Sequence, residues 1–262
     1  MMMQEQLLTI DIDSRGVCTL ALNIPEKHNA FNDKVIAALR AALDELEQDR
    51  RVRILVLTGN GQTFSSGADL EWMKAAANRD EATNQKDSEA LAQLMRALYE
   101  YNKPTVARIN GGAYGGALGL IACCDFAIAT RSAQFAFTEV RFGLVPAVIA
   151  PYILKAIGER HTRSLFLTAE RFSSSFAAAI NFIHQVADDD ALDSAVNQVT
   201  ERLLKAGPHS IQACKQLIRS LTTEANAESS AKLIAQLRAS KEGQEGMAAF
   251  FEKRNPSWVN SR

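Results

Sequence analysis

The chain has 262 residues, of which 47% are hydrophobic and 23% charged, with a formal net charge of -1. That length supports one large buried core with room for an added helical region, and the near-neutral balance gives no basic footprint for nucleic acid or an anionic membrane surface. Cys18, Cys123, Cys124 and Cys214 have neither metal-ligand spacing nor a disulfide framework, and the adjacent pair is poorly placed to bridge itself, so a reduced, cytoplasmic protein is expected.

The N-terminal stretch MMMQEQLLTIDID has no basic leader and passes straight into a polar/apolar alternation, so neither a secretory nor a transit signal is expected. Leu8, Ile10 and Ile12 alternate with polar residues, and Cys18, Leu20 and Leu22 repeat the pattern after a turn at Ser14-Arg15-Gly16, which predicts an antiparallel pair near a sheet edge. From Asn32, placed as an N-cap, Val35, Ile36, Leu39, Leu43 and Leu46 mark one face of an amphipathic helix. The basic run Arg50-Arg51-Val52-Arg53 reads as a solvated helix end.

Ile54 to Leu57 is apolar on both faces, as an internal strand covered by helices would be. A loop from Phe64 to Leu70 and a helix through Leu91, Leu94, Met95 and Leu98 follow. A second strand, Thr105 to Ile109, runs into a glycine-rich loop, Gly111 to Gly119, and a helix; the uncharged run from Ile109 to Cys124 is stopped by Asp125 and reads as buried chain, not a membrane span. Phe126 to Ala129 and Gln134 to Phe137 read as strands, and beyond Pro151 the stripes of Leu192, Val196, Val199 and Leu203, then Ile211, Leu217, Ile218 and Leu221, predict helices. The expected organisation is a core over residues 1–200 and a helical region over 201–262.

The glycines at 111, 112, 115, 116 and 119 contain no G-x-G-x-x-G, and the chain contains neither G-x-x-x-x-G-K-[ST] nor G-x-S-x-G. Dinucleotide or phosphate cradling and serine hydrolysis thereby lose their main support. Two readings remain: glycines that permit tight helix-strand packing, or two loops, Ser66-Gly67-Ala68-Asp69 and Gly115-Gly116, each lending a backbone N–H to a developing negative oxygen. The four histidines, 28, 161, 184 and 209, are scattered, and no metal site is expected.

The ordered set Pro25-Glu26-Lys27-His28-Asn29-Ala30-Phe31, Phe64 to Leu70, Lys103-Pro104, Asn110-Gly111, Gly115-Gly116, Cys124-Asp125, Ala133-Gln134-Phe135, Glu139 and Phe250-Phe251-Glu252-Lys253-Arg254 resembles the enoyl-CoA hydratase/isomerase (crotonase) family over nearly the whole chain. The resemblance implies an α/β fold, a spiral of ββα units with a C-terminal helical region that assembles a homo-trimer or hexamer and completes the CoA site. It implies an acyl-CoA thioester substrate and no separate cofactor, CoA being carried by the substrate. Ala68 and Gly116 would hold the thioester oxygen and Glu139 would transfer the proton. Lys27, Ala30, Ser66, Ala68, Leu70, Phe250 and Lys253 would bind CoA, although Lys27 and Lys253 read equally as solvated lysines.

Hydratases of this family carry two glutamates, and the position of the first, three residues past the oxyanion glycine, is here Gly119. That departure counts against hydration, yet addition of water to a 2-enoyl-CoA stays the first expectation; isomerisation of a 3-enoyl-CoA, which needs a single carboxylate, is the alternative, and a non-catalytic binding protein of the same fold comes third, against which Glu139 and both amide loops argue. The wording from Phe137 to Pro151 and the tail Glu242 to Gly246 resemble the methylglutaconyl-CoA hydratase branch, whose substrates carry a distal carboxylate. Arg141 is then either the guanidinium that recognises that group or one arm of a structural ion pair. Trp72 and Met73 read as acyl-pocket or core residues, and Asp69 as a helix N-cap.

Overall fold

The computed structural model describes residues 7–221 and 227–259. In chain order the elements are β1 (Leu8–Ile12), β2 (Val17–Leu22), α1 (Asp33–Gln48), β3 (Ile54–Gly59), β4 (Thr63–Ser65), α2 (Leu70–Ala76), α3 (Glu81–Glu100), β5 (Thr105–Ile109), β6 (Gly112–Tyr114) and α4 (Ala117–Cys123). They continue with β7 (Phe126–Thr130), β8 (Gln134–Ala136), α5 (Ala150–Thr168), β9 (Phe172–Ser173), α6 (Ser174–Ala179), β10 (Gln185–Ala187), α7 (Leu192–Leu204), α8 (Pro208–Leu221), α9 (Ala227–Ala239) and α10 (Lys241–Phe251).

The strands form a six-stranded sheet in the order β1-β2-β3-β5-β7-β10 and a four-stranded sheet in the order β4-β6-β8-β9. Successive strands alternate between the two: β3, β5 and β7 enter the first sheet, β4, β6 and β8 the second, and helical chain follows each pair. This is the ββα spiral. β3 is buried along its whole length, because its parallel neighbours β2 and β5 flank it and helices cover both faces. On one face the large core joins Leu20, Leu55 and Leu57 to Leu39 and Leu43 of α1 and Met95 of α3. On the other, Ile54, Val56, Val106 and Ile128 meet Leu192, Val196 and Val199 of α7.

Local signals fall where expected at several boundaries. β1 and β2 pair antiparallel, Leu8 opposite Leu22, although at this edge Ile10 remains 45% exposed. Asn32 caps α1, its side chain accepting from the Val35 amide at 3.1 Å, which satisfies one of the unpaired first-turn donors.

The stretches expected as loops, Phe64 to Leu70 and Gly111 to Gly119, instead carry β4 and β6 at their N-terminal ends. Such three-residue strands take their hydrogen bonds from distant chain, β4 from β6 and β6 from β8, so local pattern does not reveal them. Arg53 also departs from the solvated reading: it donates to the Trp258 carbonyl at 2.7 Å and to those of Leu204 and Ala206 at 3.3 Å. Arg53 therefore ties the C-terminal segment to the sheet, while Arg50 and Arg51 are exposed as expected.

α8 buries none of its residues fully, yet it is anchored by Lys215, whose Nζ lies 2.5 Å from Asp125 Oδ2 and 3.0 Å from the Lys103 carbonyl. Asp125 Oδ2 also accepts from the Thr105 amide and hydroxyl. Among the described residues, no helix is long and apolar enough to cross a membrane.

Candidate active site

Two loops meet at the ends of β4 and β6. The chain leaving β4 turns at Gly67, whose φ is +86° and where a Cβ would stand 2.5 Å from the Tyr114 carbonyl oxygen. Conformation and close approach both demand glycine there. Phe31 fixes the same loop: its amide donates to the Gly67 carbonyl at 2.8 Å, and its carbonyl accepts from the Asp69 amide at 3.0 Å. Its ring lies against Gly116, where a Cβ would be 3.0 Å from Cζ. One residue therefore holds both loops.

This pattern engages the Gly67 carbonyl and the Asp69 amide and skips the Ala68 N–H. In the parallel bridge between Phe31 and Ala68, hydrogen bonds run to the residues on either side. On the second loop, the Gly115 amide donates to the Ala136 carbonyl at 2.9 Å and the Leu118 amide to the Gly115 carbonyl at 3.0 Å. Among the described residues, neither the Ala68 nor the Gly116 N–H donates a hydrogen bond. Two unengaged donors on touching loops, the second at the start of α4, can receive an oxygen on which negative charge develops.

Glu139 opens a short 3-10 turn, Glu139–Phe142, separated from the end of β8 by Phe137 and Thr138. A Cβ on Gly115 would lie 3.4 Å from its Oε1 and 3.6 Å from Thr138 Oγ1, so both side-chain oxygens stand over the residue preceding Gly116. Glu139 Oε2 is buried without a hydrogen-bond partner. Burial raises its pKa above the ordinary 4.5, with a smaller opposing contribution from its own backbone N–H. Among the described residues, no cation pairs with it. A half-buried carboxyl whose pKa is raised in this way is suited both to take and to return a proton.

The position of the first family glutamate is closed. A Cβ on Gly119 would lie 2.2 Å from Ile149 Cγ2, 2.9 Å from Ile149 Cβ and 3.1 Å from Met95 Sδ. Ile149, just before α5, is 2% exposed. An aliphatic side chain thus fills the space into which a second carboxylate would grow.

The residues expected to bind CoA fall into two groups. Lys27, Ala30, Ser66, Ala68 and Leu70 come together, because the Ser66 amide donates to the His28 carbonyl at 2.9 Å and the Phe31 bridge follows. Asn29 holds this segment; it sits at φ +54° and is 1% exposed, accepting from the Ile24 amide and donating to the Asn60 and Thr63 carbonyls. Those bonds stabilise a backbone conformation unfavourable for a residue with a side chain. Leu70 is 77% exposed. Lys27 is 3.3 Å from both Asp69 and Glu71, so it serves an ion pair in the single chain. Asp69 is the N-cap of α2, accepting from the Glu71 and Trp72 amides.

Phe250 and Lys253 are not joined to these loops within one chain: α10 packs on α8 and α9, and Phe250 is 78% exposed. Trp72 and Met73 are half-buried on α2; Trp72 packs against the main core, with its Nε1 buried and unpartnered. Arg141 makes no ion pair among the described residues and donates instead to the Ala169 carbonyl at 2.8 Å, at the left-handed end of α5. Ile149, Thr138 and Asn29 went unassigned in the sequence. Of these, only Asn29 carried a local signal, as a turn-forming residue beside the glycine-free reversal at His28.

The enoyl-CoA hydratase/isomerase family model matches residues 13–261. The crystal structure of an enoyl-CoA hydratase from Shewanella pealeana ATCC 700345 is similar at a TM-score of 0.93 and 40% identity, over 97% of each chain. The 1,2-epoxyphenylacetyl-CoA isomerase of Escherichia coli K12 is 31% identical over 94% of this chain and 95% of its own length. The 2,3-dehydroadipyl-CoA hydratase of the same organism is 28% identical over 92% of this chain and 94% of its own. The spiral with its two touching loops is thus a crotonase-like fold, and with a match running almost end to end the chain belongs to the enoyl-CoA hydratase/isomerase family.

Proposed function

We propose that this enzyme is a hydratase that adds water to a 2-enoyl-CoA through a single acid/base carboxyl, Glu139. The observation that supports it is the Glu139 carboxyl over Gly115, its Oε2 buried and unpartnered, next to the unengaged Gly116 amide, with Ile149 closing the alternative position. Ala68 and Gly116 N–H groups would bind the thioester oxygen. Glu139 takes a proton from water as the oxygen attacks the β-carbon, and the double-bond electrons move onto the held oxygen as an enolate. The protonated Glu139 then gives its proton to the α-carbon. Water is consumed, and the carboxylate is regenerated. Removing one oxyanion donor of this kind costs on the order of 10² to 10³ in rate.

The substrate we assign is branched and carboxylated, of the 3-methylglutaconyl-CoA type. Arg141 uses one of its N–H groups on the Ala169 carbonyl, which leaves others for a distal carboxylate. Lys27, Ala30, Ser66 and Leu70 would take the CoA moiety. Phe250 and Lys253 would join it from a neighbouring copy in a cytoplasmic trimer or hexamer, which fits a phenylalanine pair, Phe250 and Phe251, each 78% exposed on one chain.

Gly119 beneath Ile149 equally favours a second reading, an isomerase in which Glu139 moves one proton from the α- to the γ-carbon of a 3-enoyl-CoA. Purified protein given 3-methylglutaconyl-CoA and straight-chain 2- and 3-enoyl-CoAs separates the two. Hydration removes conjugated-enoyl absorbance and yields a 3-hydroxyacyl product. Conjugation gained from the 3-enoyl substrate, with no hydroxyacyl product from any 2-enoyl substrate, would refute hydration.

A further inference from the structure

We propose that Thr138 orients the attacking water. The proposal rests on the hydration reading above. It begins from a deficiency. A water adding to a β-carbon has two hydrogens, and Glu139 accepts only the one it removes. The second hydrogen needs an acceptor of fixed position, or the water loses the orientation that brings its lone pair to carbon. The wall at Gly119 supplies none, since Ile149 and Met95 fill it.

Thr138 supplies one. Its Oγ1 and Glu139 Oε1 lie 3.6 and 3.4 Å from the same point above Gly115. A hydroxyl and a carboxyl thus face one spot beside the Gly116 amide. Among the described residues the Thr138 hydroxyl makes no hydrogen bond, so its lone pairs are uncommitted. Its backbone is committed: the Thr138 carbonyl accepts from the Arg141 amide at 3.1 Å, closing the 3-10 turn that aims Glu139. The side chain is therefore held by a turn that it does not itself stabilise. In the reaction, one water O–H gives its proton to Glu139 and the other donates a hydrogen bond to Thr138 Oγ1. The new C–O bond forms to the β-carbon as the enolate develops, and Glu139 returns the proton to the α-carbon. Thr138 exchanges no proton and is unchanged.

The test separates water addition from proton transfer. Hydration of 3-methylglutaconyl-CoA and crotonyl-CoA is measured alongside exchange of the α-hydrogens of saturated butyryl-CoA in deuterium oxide, which needs Glu139 and the two amides but no attacking water. Thr138→Val is expected to lower kcat for hydration by roughly 10- to 100-fold, the loss of one hydrogen bond to the reacting water, with KM and α-exchange within about twofold of the parent. Thr138→Ser, which keeps the hydroxyl, is expected to restore most of the hydration rate. Glu139→Gln is expected to lose both reactions. Equal loss of hydration and exchange in Thr138→Val would overturn the proposal, since it would mean that the residue only places Glu139. Full hydration in Thr138→Val would overturn it too. If the parent protein isomerises 3-enoyl-CoA and hydrates nothing, the hydration reading itself fails, and the unmodified enzyme reveals this without any variant.

Discussion

Replacing Gly119 with alanine sets two well-understood effects against each other. In a helix, alanine is favoured over glycine by up to about 1 kcal/mol, and Gly119 lies in the first turn of α4. Helix propensity alone therefore predicts a stabilised protein. The packing predicts the reverse. The added Cβ would stand 2.2 Å from Ile149 Cγ2, a contact that requires buried side chains to move, and Met95 Sδ at 3.1 Å blocks the other direction. Overpacking of this kind costs about 1–3 kcal/mol, and with both neighbours almost fully buried the upper part applies. The net expectation is a loss of about 1–2 kcal/mol. Urea unfolding at fixed protein concentration measures it as a lower midpoint with unchanged slope. Ile149→Ala, destabilising alone, should reduce the penalty of Gly119→Ala in the double variant, because the clashing methyl is gone. A Gly119→Ala protein as stable as the parent would refute the claim that Ile149 closes this position. It would also reopen the site to a second carboxylate.

Gly116→Pro should lower turnover by roughly 10²- to 10³-fold, since the φ of -55° at Gly116 suits proline while the N–H is lost; Gly116→Ala brings the same Cβ toward Phe31 but keeps the donor, and equal activities in the two would argue against an oxyanion role. Lys215→Ala should cost about 2–3 kcal/mol, below the usual range for a broken buried pair because Asp125 keeps 30% side-chain exposure, and limited proteolysis should cut first near α8; unchanged stability would contradict the anchor. Because burial lifts the Glu139 pKa above 4.5, kcat/KM should fall on the acid side with a midpoint above that value. The sign for stability follows from the same shift. The contribution of Glu139 is complete below 4.5, where both states are protonated, and is lost as pH rises through the raised folded value. Glu139→Gln should then gain on the parent with rising pH, and a constant difference would refute the shift.

The parts legible in the sequence are those fixed by local physics. β3 is a continuous apolar run, α1 has one apolar stripe and a capping asparagine, and Asp69 sits where two first-turn amides need an acceptor. The loops bearing Ala68 and Gly116, and Glu139 beyond them, came from ordered motifs. What escaped depends on contacts between distant residues. β4 and β6 exist because each finds the other's edge across some fifty residues of chain. Arg53 and Trp258 are 205 positions apart. Gly119 was visible as a departure, but Ile149, the residue that makes it final, lies beyond two strands and a turn. Thr138 lay within a stretch read for its resemblance but drew no role of its own, since a threonine before a turn has many ordinary explanations.

The central claim is that one carboxyl, Glu139, carries proton transfer in a site whose oxygen-holding amides are Ala68 and Gly116. Glu139→Gln tests it most directly, with turnover followed by the loss of conjugated-enoyl absorbance and binding followed by calorimetry with a saturated acyl-CoA. The expected result is a fall in kcat of about 10²- to 10⁴-fold with acyl-CoA affinity within a few-fold of the parent. Turnover unchanged in Glu139→Gln would contradict the account.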